Sequence, residues 1–264
     1  MLVEFHHESI WFAVFKAPGG TLQDLLRSSE LATLSARHIK EIVSQVVSAV
    51  IDLHNRSFVH LNICPANIEM LDWTTVTESV YAGHGRFVEK VYEFHVGVIR
   101  LLFYGDADLD IVDMQGQDQY RAPEVVLGWG GELQSDAFSV GCVLYEMSRG
   151  AALFPVCEVG DQYVRAKVHL FAAILGQFPR DMILRARILN DDIFKDGYSG
   201  ELMSREGLPD NVVRFIDSSE AIEDMIEDLD LLKLLGALLE ISPEDRPALE
   251  EVLEYEYLSI PKLA

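Results

Sequence analysis

Basic residues are scarce in this sequence: 21 Lys and Arg stand against 43 Asp and Glu, for a formal net charge of −22. Nucleic-acid affinity is built by neutralising phosphates with Lys and Arg, so this deficit argues against a nucleic-acid partner and favours a cationic one. The densest acidic stretch carries Asp217, Glu220, Glu223, Asp224, Glu227, Asp228 and Asp230, and its simplest reading is a solvated helix face or loop. Cysteine is sparse too. Cys64, Cys142 and Cys157 form no C-x-x-C pair and no short Cys/His ligand spacing, which argues against structural zinc and fits a reducing compartment, with each thiol acting as a small buried hydrophobe. Long apolar runs are missing: the longest near the N-terminus, from Ile10 to Phe15, is too short to cross a bilayer and follows no basic leader. A cytoplasmic or nuclear protein without a membrane partner is expected. Low-complexity tracts and internal repeats are also absent, so the length reads as one compact unit.

What is present is helical periodicity. Ile39, Ile42, Val43, Val46, Val47, Val50 and Leu53 recur at three- and four-residue steps behind Ser35, a residue suited to cap the helix. A shorter helix is expected from Thr21, after the turn at Pro18-Gly19-Gly20, and the aromatic-rich run before that turn reads as a buried strand. Small strands are expected around Ile68 to Leu71 and Val98 to Phe103, with helical spacing returning near Phe138 to Ser148, Val168 to Leu175 and Leu229 to Leu239. Ser242-Pro243 reads as the start of a last helix, with Pro at its first position.

Five stretches, taken in order, resemble protein-kinase signatures. Phe58-Val-His-Leu-Asn-Ile-Cys-Pro-Ala-Asn67 is similar to the catalytic loop, Phe103-Tyr-Gly105 stands at the D-F-G triplet, and Ala122-Pro-Glu124 reproduces A-P-E. Asp136-Ala-Phe-Ser-Val-Gly-Cys142 and Asp245-Arg246-Pro247 resemble later structural motifs. Gln119-Tyr-Arg-Ala-Pro-Glu-Val125 and His169-Leu-Phe-Ala-Ala-Ile-Leu-Gly-Gln-Phe-Pro-Arg180 look most like the kinases of Arg/Ser-rich splicing proteins, relatives that dock Arg-rich peptides on acidic surfaces. The resemblance implies a mainly α large lobe with a hinge strand and short β-hairpins, and most of the β-rich small lobe absent. Residues 1–20 would be the small-lobe remnant and hinge, residues 21–264 the large lobe, with an insertion around 72–97 that the Gly83-His-Gly85 stretch suggests is a hairpin.

The resemblance also marks which chemistry is missing. Kinase catalysis rests on a Gly-rich loop and a strand-borne Lys at the phosphates, an Asp that orients the acceptor hydroxyl, and Asp plus Asn at magnesium. No counterpart of the Gly-rich loop or that Lys is found. Asn62 replaces the general-base Asp, a group worth roughly 10²–10⁴-fold in rate. Leu61 replaces the Arg that receives an activation-loop phosphate, Cys64 the Lys at the transferring phosphoryl group, and Phe103 the metal-binding Asp. Asn67 alone matches a magnesium ligand, and one neutral amide is a poor site for a hard cation. Glu69 stands where an apolar residue should lie beneath adenine, so base stacking would press on a carboxylate that prefers water. Val14, Ala17, Asn67 and Glu69 are thus remnants of a nucleotide site. Asp106, Asp108 and Asp110 lack the Gly and Glu positions of a calcium loop and read as solvated. The surviving motif residues His60, Gly105, Glu124, Asp136 and Arg246 maintain architecture: Glu124 should pair with Arg246, and Asp136 should accept backbone N–H groups near His60 and Leu61.

Together these features point to a pseudokinase that binds a protein, Arg-rich or itself an active kinase, and needs no cofactor. One alternative is a Ser/Thr kinase with residual MgATP-dependent activity; another is a truncated gene product without settled function.

Overall fold

The apolar stripe of the longest helix, Ala36–His54 (α2), is buried from Ile39 to Val50 and forms one wall of the core in this computed structural model. Residues 3–7, 10–14, 20–27, 34–71, 73–83, 86–96, 99–101, 118–157, 160–189, 193–196 and 200–259 are described. Ser35 caps α2 reciprocally: its Oγ accepts the His38 N–H at 3.4 Å, and His38 Nδ1 accepts the Ser35 N–H at 3.4 Å. Ahead of it, Leu22–Arg27 (α1) begins at Thr21, whose N–H and hydroxyl both donate to Asp24 Oδ2. Those bonds hold the Asp24 carboxyl below its usual range.

The other wall is Leu133–Arg149 (α4), buried along nearly its whole length and packed against α2. The helix Leu229–Leu238 (α9) approaches α4 at Gly141, where a Cβ would lie 2.9 Å from Leu239 Cδ2 and 3.0 Å from Leu238 Cβ; glycine is what allows that contact. α4 stops at Gly150, in the left-handed conformation at φ 74°. Phe138, Phe154 and Phe171 fill the space between α4 and the helix Tyr163–Leu175 (α5), with ring centroids 5.0–6.2 Å apart. The remaining helices are Pro123–Val126 (α3), Arg180–Leu189 (α6), Asp210–Ser218 (α7), Ile222–Met225 (α8) and Leu249–Val252 (α10).

Strands among the described residues form three separate antiparallel pairs. Val3–His7 (β1) pairs with Ile10–Val14 (β2), with Val3 opposite Val14 and His7 opposite Ile10. β1 thus supplies the antiparallel partner of the apolar run in β2, and His6 and His7 lie in β1. Ile68–Met70 (β3) pairs with Ile99–Leu101 (β6), and between them in sequence Trp73–Gly83 (β4) pairs with Arg86–Val96 (β5), the two strands meeting at Gly83 and Arg86. His84 and Gly85 lie outside the described residues.

One expectation is corrected at Ser242. Pro243–Asp245 makes only a single 3-10 turn with no side-chain cap from Ser242, and helix resumes at Leu249. Pro247 disfavours the helical region for the residue before it, and Arg246 is accordingly extended at φ −77°, ψ 139°.

Candidate functional site

The loop following α2 is held from beneath by one buried carboxylate. Asp136, fully buried near the start of α4, accepts the His60 N–H at Oδ2 (2.8 Å) and the Leu61 N–H at Oδ1 (2.7 Å), while His54 Nε2 lies 2.8 Å from Oδ2. Leu61 sits at φ 58°, a left-handed conformation that a side chain seldom adopts, so the carboxylate holds the backbone where its own preference would not. His60 Nδ1 accepts the Asn62 N–H at 3.2 Å, which commits that lone pair to the backbone and makes His60 a scaffold residue. Asn62 O in turn accepts from Asn67 Nδ2 at 2.9 Å. The Asn67 side chain therefore closes the loop on itself. Cys64 is buried beside Asn62, and burial raises its thiol pKa, as it does for Cys157, pushed up to about 11, and Cys142, pushed up to about 12. None of the three has the lowered pKa of a reactive thiol.

The adjoining strand β3 is wholly buried, with the residue 20–21 segment alongside it: Met70 N–H donates to Gly20 O at 2.9 Å, and Thr21 bridges Glu69. Glu69 is 2% exposed, so its carboxylate lies in the interior at the position that the resemblance sets beneath adenine. The reason lies across the sheet. Arg100 is Glu69's register partner on β6, and its Nε donates to Glu69 Oε2 at 2.7 Å while Nη2 bonds the same oxygen. A cross-strand ion pair thus compensates the buried charge at the position expected to meet adenine.

A third cluster fixes the chain where it enters α3. Arg246 uses all five N–H donors: Nη1 and Nη2 bond the two Glu124 carboxylate oxygens at 2.7 and 2.8 Å, and the rest reach the carbonyls of Glu240, Gln134 and Ile241. Ser135 Oγ adds a 2.6 Å bond to Glu124. Just upstream, the fully buried Lys167 donates to Asp118 O at 2.8 Å, and the Asp118 carboxylate accepts from Tyr163 Oη at 2.6 Å and Cys157 N–H at 3.0 Å. Tyr120 Oη donates to Glu146 Oε2 at 2.6 Å; burial raises the Glu146 carboxyl pKa.

His60, Asn62, Cys64 and Asn67 come together in one loop over Asp136, Glu69 lies on the adjoining strand, and Glu124 meets Arg246. Val14 lies in β2, whereas Ala17, Phe103, Gly105, Asp106, Asp108 and Asp110 lie outside the described residues. The sequence reading missed His54, Arg100, Ser135 and the Asp118–Tyr163–Lys167 cluster. Arg100 becomes visible only once the β3–β6 register is known, and nothing in a sequence marks Lys167 as buried. Among the described residues, no group of three or more His, Cys, Asp or Glu side chains could hold a metal ion, and no helix is long and apolar enough to cross a membrane.

Comparison with known proteins agrees with this layout. The chain is 26% identical over 252 residues to the dual specificity protein kinase lkh1 of Schizosaccharomyces pombe, covering 92% of this chain and 35% of that protein. It is 26% identical over 266 residues to the dual specificity protein kinase CLK1 of Mus musculus (97% and 52%), and 25% identical over 266 residues to the serine/threonine-protein kinase AFC1 of Arabidopsis thaliana (93% and 54%). It thus spans between a third and just over half of the length of these relatives. One crystal structure of a kinase domain superposes with a TM-score of 0.78 at 22% identity, over 97% of this chain and 76% of that one, and shows the shared fold. The protein kinase domain model matches residues 3–258. The chain belongs to the protein kinase domain family.

Proposed function

We propose that this chain is a non-catalytic member of the kinase family that acts by binding a protein, with a basic or Arg-rich segment as the partner's recognised feature. The Glu69–Arg100 pair carries this reading. A nucleotide base stacked on β3 would have to displace or face the Glu69 carboxylate, which is 2% exposed and already paired with the half-exposed Arg100. Asn62 offers no carboxylate to take a proton from an acceptor hydroxyl, and its backbone carbonyl holds the Asn67 amide. Asn67 as the one matching neutral ligand is a poor fit for magnesium, so no step is derived through MgATP. Meanwhile Asp136, Glu124 and Arg246 are fully engaged in scaffold contacts. The cationic partner is supported by the net charge and by Glu220, Glu223, Asp224 and Glu227, all exposed.

A second reading, a Ser/Thr or dual-specificity kinase with atypical residues, is favoured by the similarity to dual specificity protein kinases and by the loop architecture held over Asp136. One experiment separates the two. The melting temperature is measured with and without millimolar ATP, in magnesium and in EDTA, because a ligand specific for the folded state must raise it. An unchanged cooperative melt is expected; a magnesium-dependent rise would overturn the non-catalytic reading. Fluorescence anisotropy with an Arg/Ser-repeat peptide, against a length-matched Gly/Ser peptide, tests the partner class, and the expected binding weakens with added salt.

A further inference from the structure

Leu61 combines two unusual features. It occupies the left-handed region at φ 58°, and its side chain covers Gly131, in the loop between α3 and α4. A Cβ on Gly131 would lie 2.8 Å from Leu61 Cδ1, 3.0 Å from Cγ, and nearer still to Cδ2. Gly128 and Gly130 in the same loop have positive φ, at 82° and 87°, but Gly131 does not; only the close approach of Leu61 requires glycine there. Strained residues persist where their surroundings over-determine them, and here both oxygens of the fully buried Asp136 are engaged by the His60 and Leu61 N–H groups.

We infer that Leu61 and Gly131 form an apolar latch that couples the 60–67 loop to the 127–132 loop. The latch consists only of the chain's own uncharged side chain and backbone, so the two loops are held in register without an added ligand or covalent group. Through it, a disturbance on one loop reaches the other. The 127–132 loop is anchored on its far side as well: Trp129 N–H donates to Glu124 O at 3.0 Å, and the Arg185 guanidinium lies 4.6 Å from the Trp129 ring centre. The latch and these contacts together fix the 127–132 loop against the 60–67 loop at the site surface. This deepens the protein-binding reading and rests on it for the use of that surface, whereas the latch itself is read on the free chain with no partner or nucleotide present.

The test is hydrogen–deuterium exchange on the full chain and on Gly131→Ala, Leu61→Ala and the double variant, followed at peptides covering residues 58–67 and 127–135. Gly131→Ala evicts the leucine, and exchange in both peptides is expected to accelerate by roughly tenfold or more. Leu61→Ala, although made on one loop only, is expected to accelerate exchange on the other. Adding Leu61→Ala to Gly131→Ala should restore protection relative to Gly131→Ala alone, because the clash is gone. Should Gly131→Ala fail to fold, folding of the double variant supports the latch and failure of both overturns it. Exchange in the 127–135 peptide that ignores Leu61→Ala also overturns it. Failure of peptide binding with these exchange results intact would count against the partner reading and leave the latch standing.

Discussion

Replacing Arg246 by Met tests whether the scaffold is held by a charge network or by packing alone. The guanidinium has no unused donor: two bonds go to Glu124 and three to backbone carbonyls, and its carbon lies 5.0 Å from the Phe138 ring centre. Methionine keeps much of the stem and the contact with Phe138 but removes all five bonds. It leaves the Glu124 carboxylate, 3% exposed, with Ser135 as its remaining side-chain donor among the described residues. Uncompensated burial of one partner of such a pair costs about 3–5 kcal/mol. In a domain of this size that corresponds to a fall in Tm of roughly 6–20 °C. Urea unfolding followed by circular dichroism measures it, with the midpoint expected to fall and the slope to hold. Adding Glu124→Met should recover part of the loss, because the orphaned charge goes, but not all of it, since the carbonyls of Glu240, Gln134 and Ile241 remain without their donor. A loss below about 1 kcal/mol for Arg246→Met, the range of ordinary surface substitutions, would refute this account of the anchor.

Asp136→Ala removes charge-assisted bonds to two backbone N–H groups, each worth about 1.5–3 kcal/mol, and should destabilise the protein by about 3 kcal/mol or more in the same urea assay. Native Cys64, Cys142 and Cys157 should resist a thiol reagent such as DTNB at neutral pH and react together only on unfolding, because all three are buried and burial raises each pKa. His169 is held below its ordinary value of 6.5, first by burial and then by the Arg205 and Arg165 charges, against the opposing bond to the Met203 carbonyl. The unfolded chain then binds more protons than the folded one just below that value. Stability should therefore rise as pH climbs toward about 6.5 and fall off on acidification, and His169→Gln should flatten that part of the urea-stability profile measured from about pH 5 to 8.

The large helices were legible because each carries a periodic apolar face long enough to outvote local irregularity: α2 announces itself through Ile39 to Val50, and Ser35 marks its start. The family was legible through motif residues whose partners lie far away in sequence, and Glu124 meets Arg246 across 122 positions. What escaped was everything that depends on register or on burial of a charge. Glu69 alone suggests a carboxylate turned toward water; only the antiparallel pairing of β3 with β6 supplies Arg100 and makes the same residue part of the core. Lys167 looks like any surface lysine in the sequence, yet it is wholly buried because Asp118 O accepts from it at 2.8 Å and the Phe154 and Phe171 rings lie 5.4 and 5.3 Å from its ammonium. Ser242 met the composition rule for a helix cap, but Pro247 keeps Arg246 extended, and that extended residue delivers the guanidinium to Glu124. A break in helical propensity there is thus the feature that lets the anchor form.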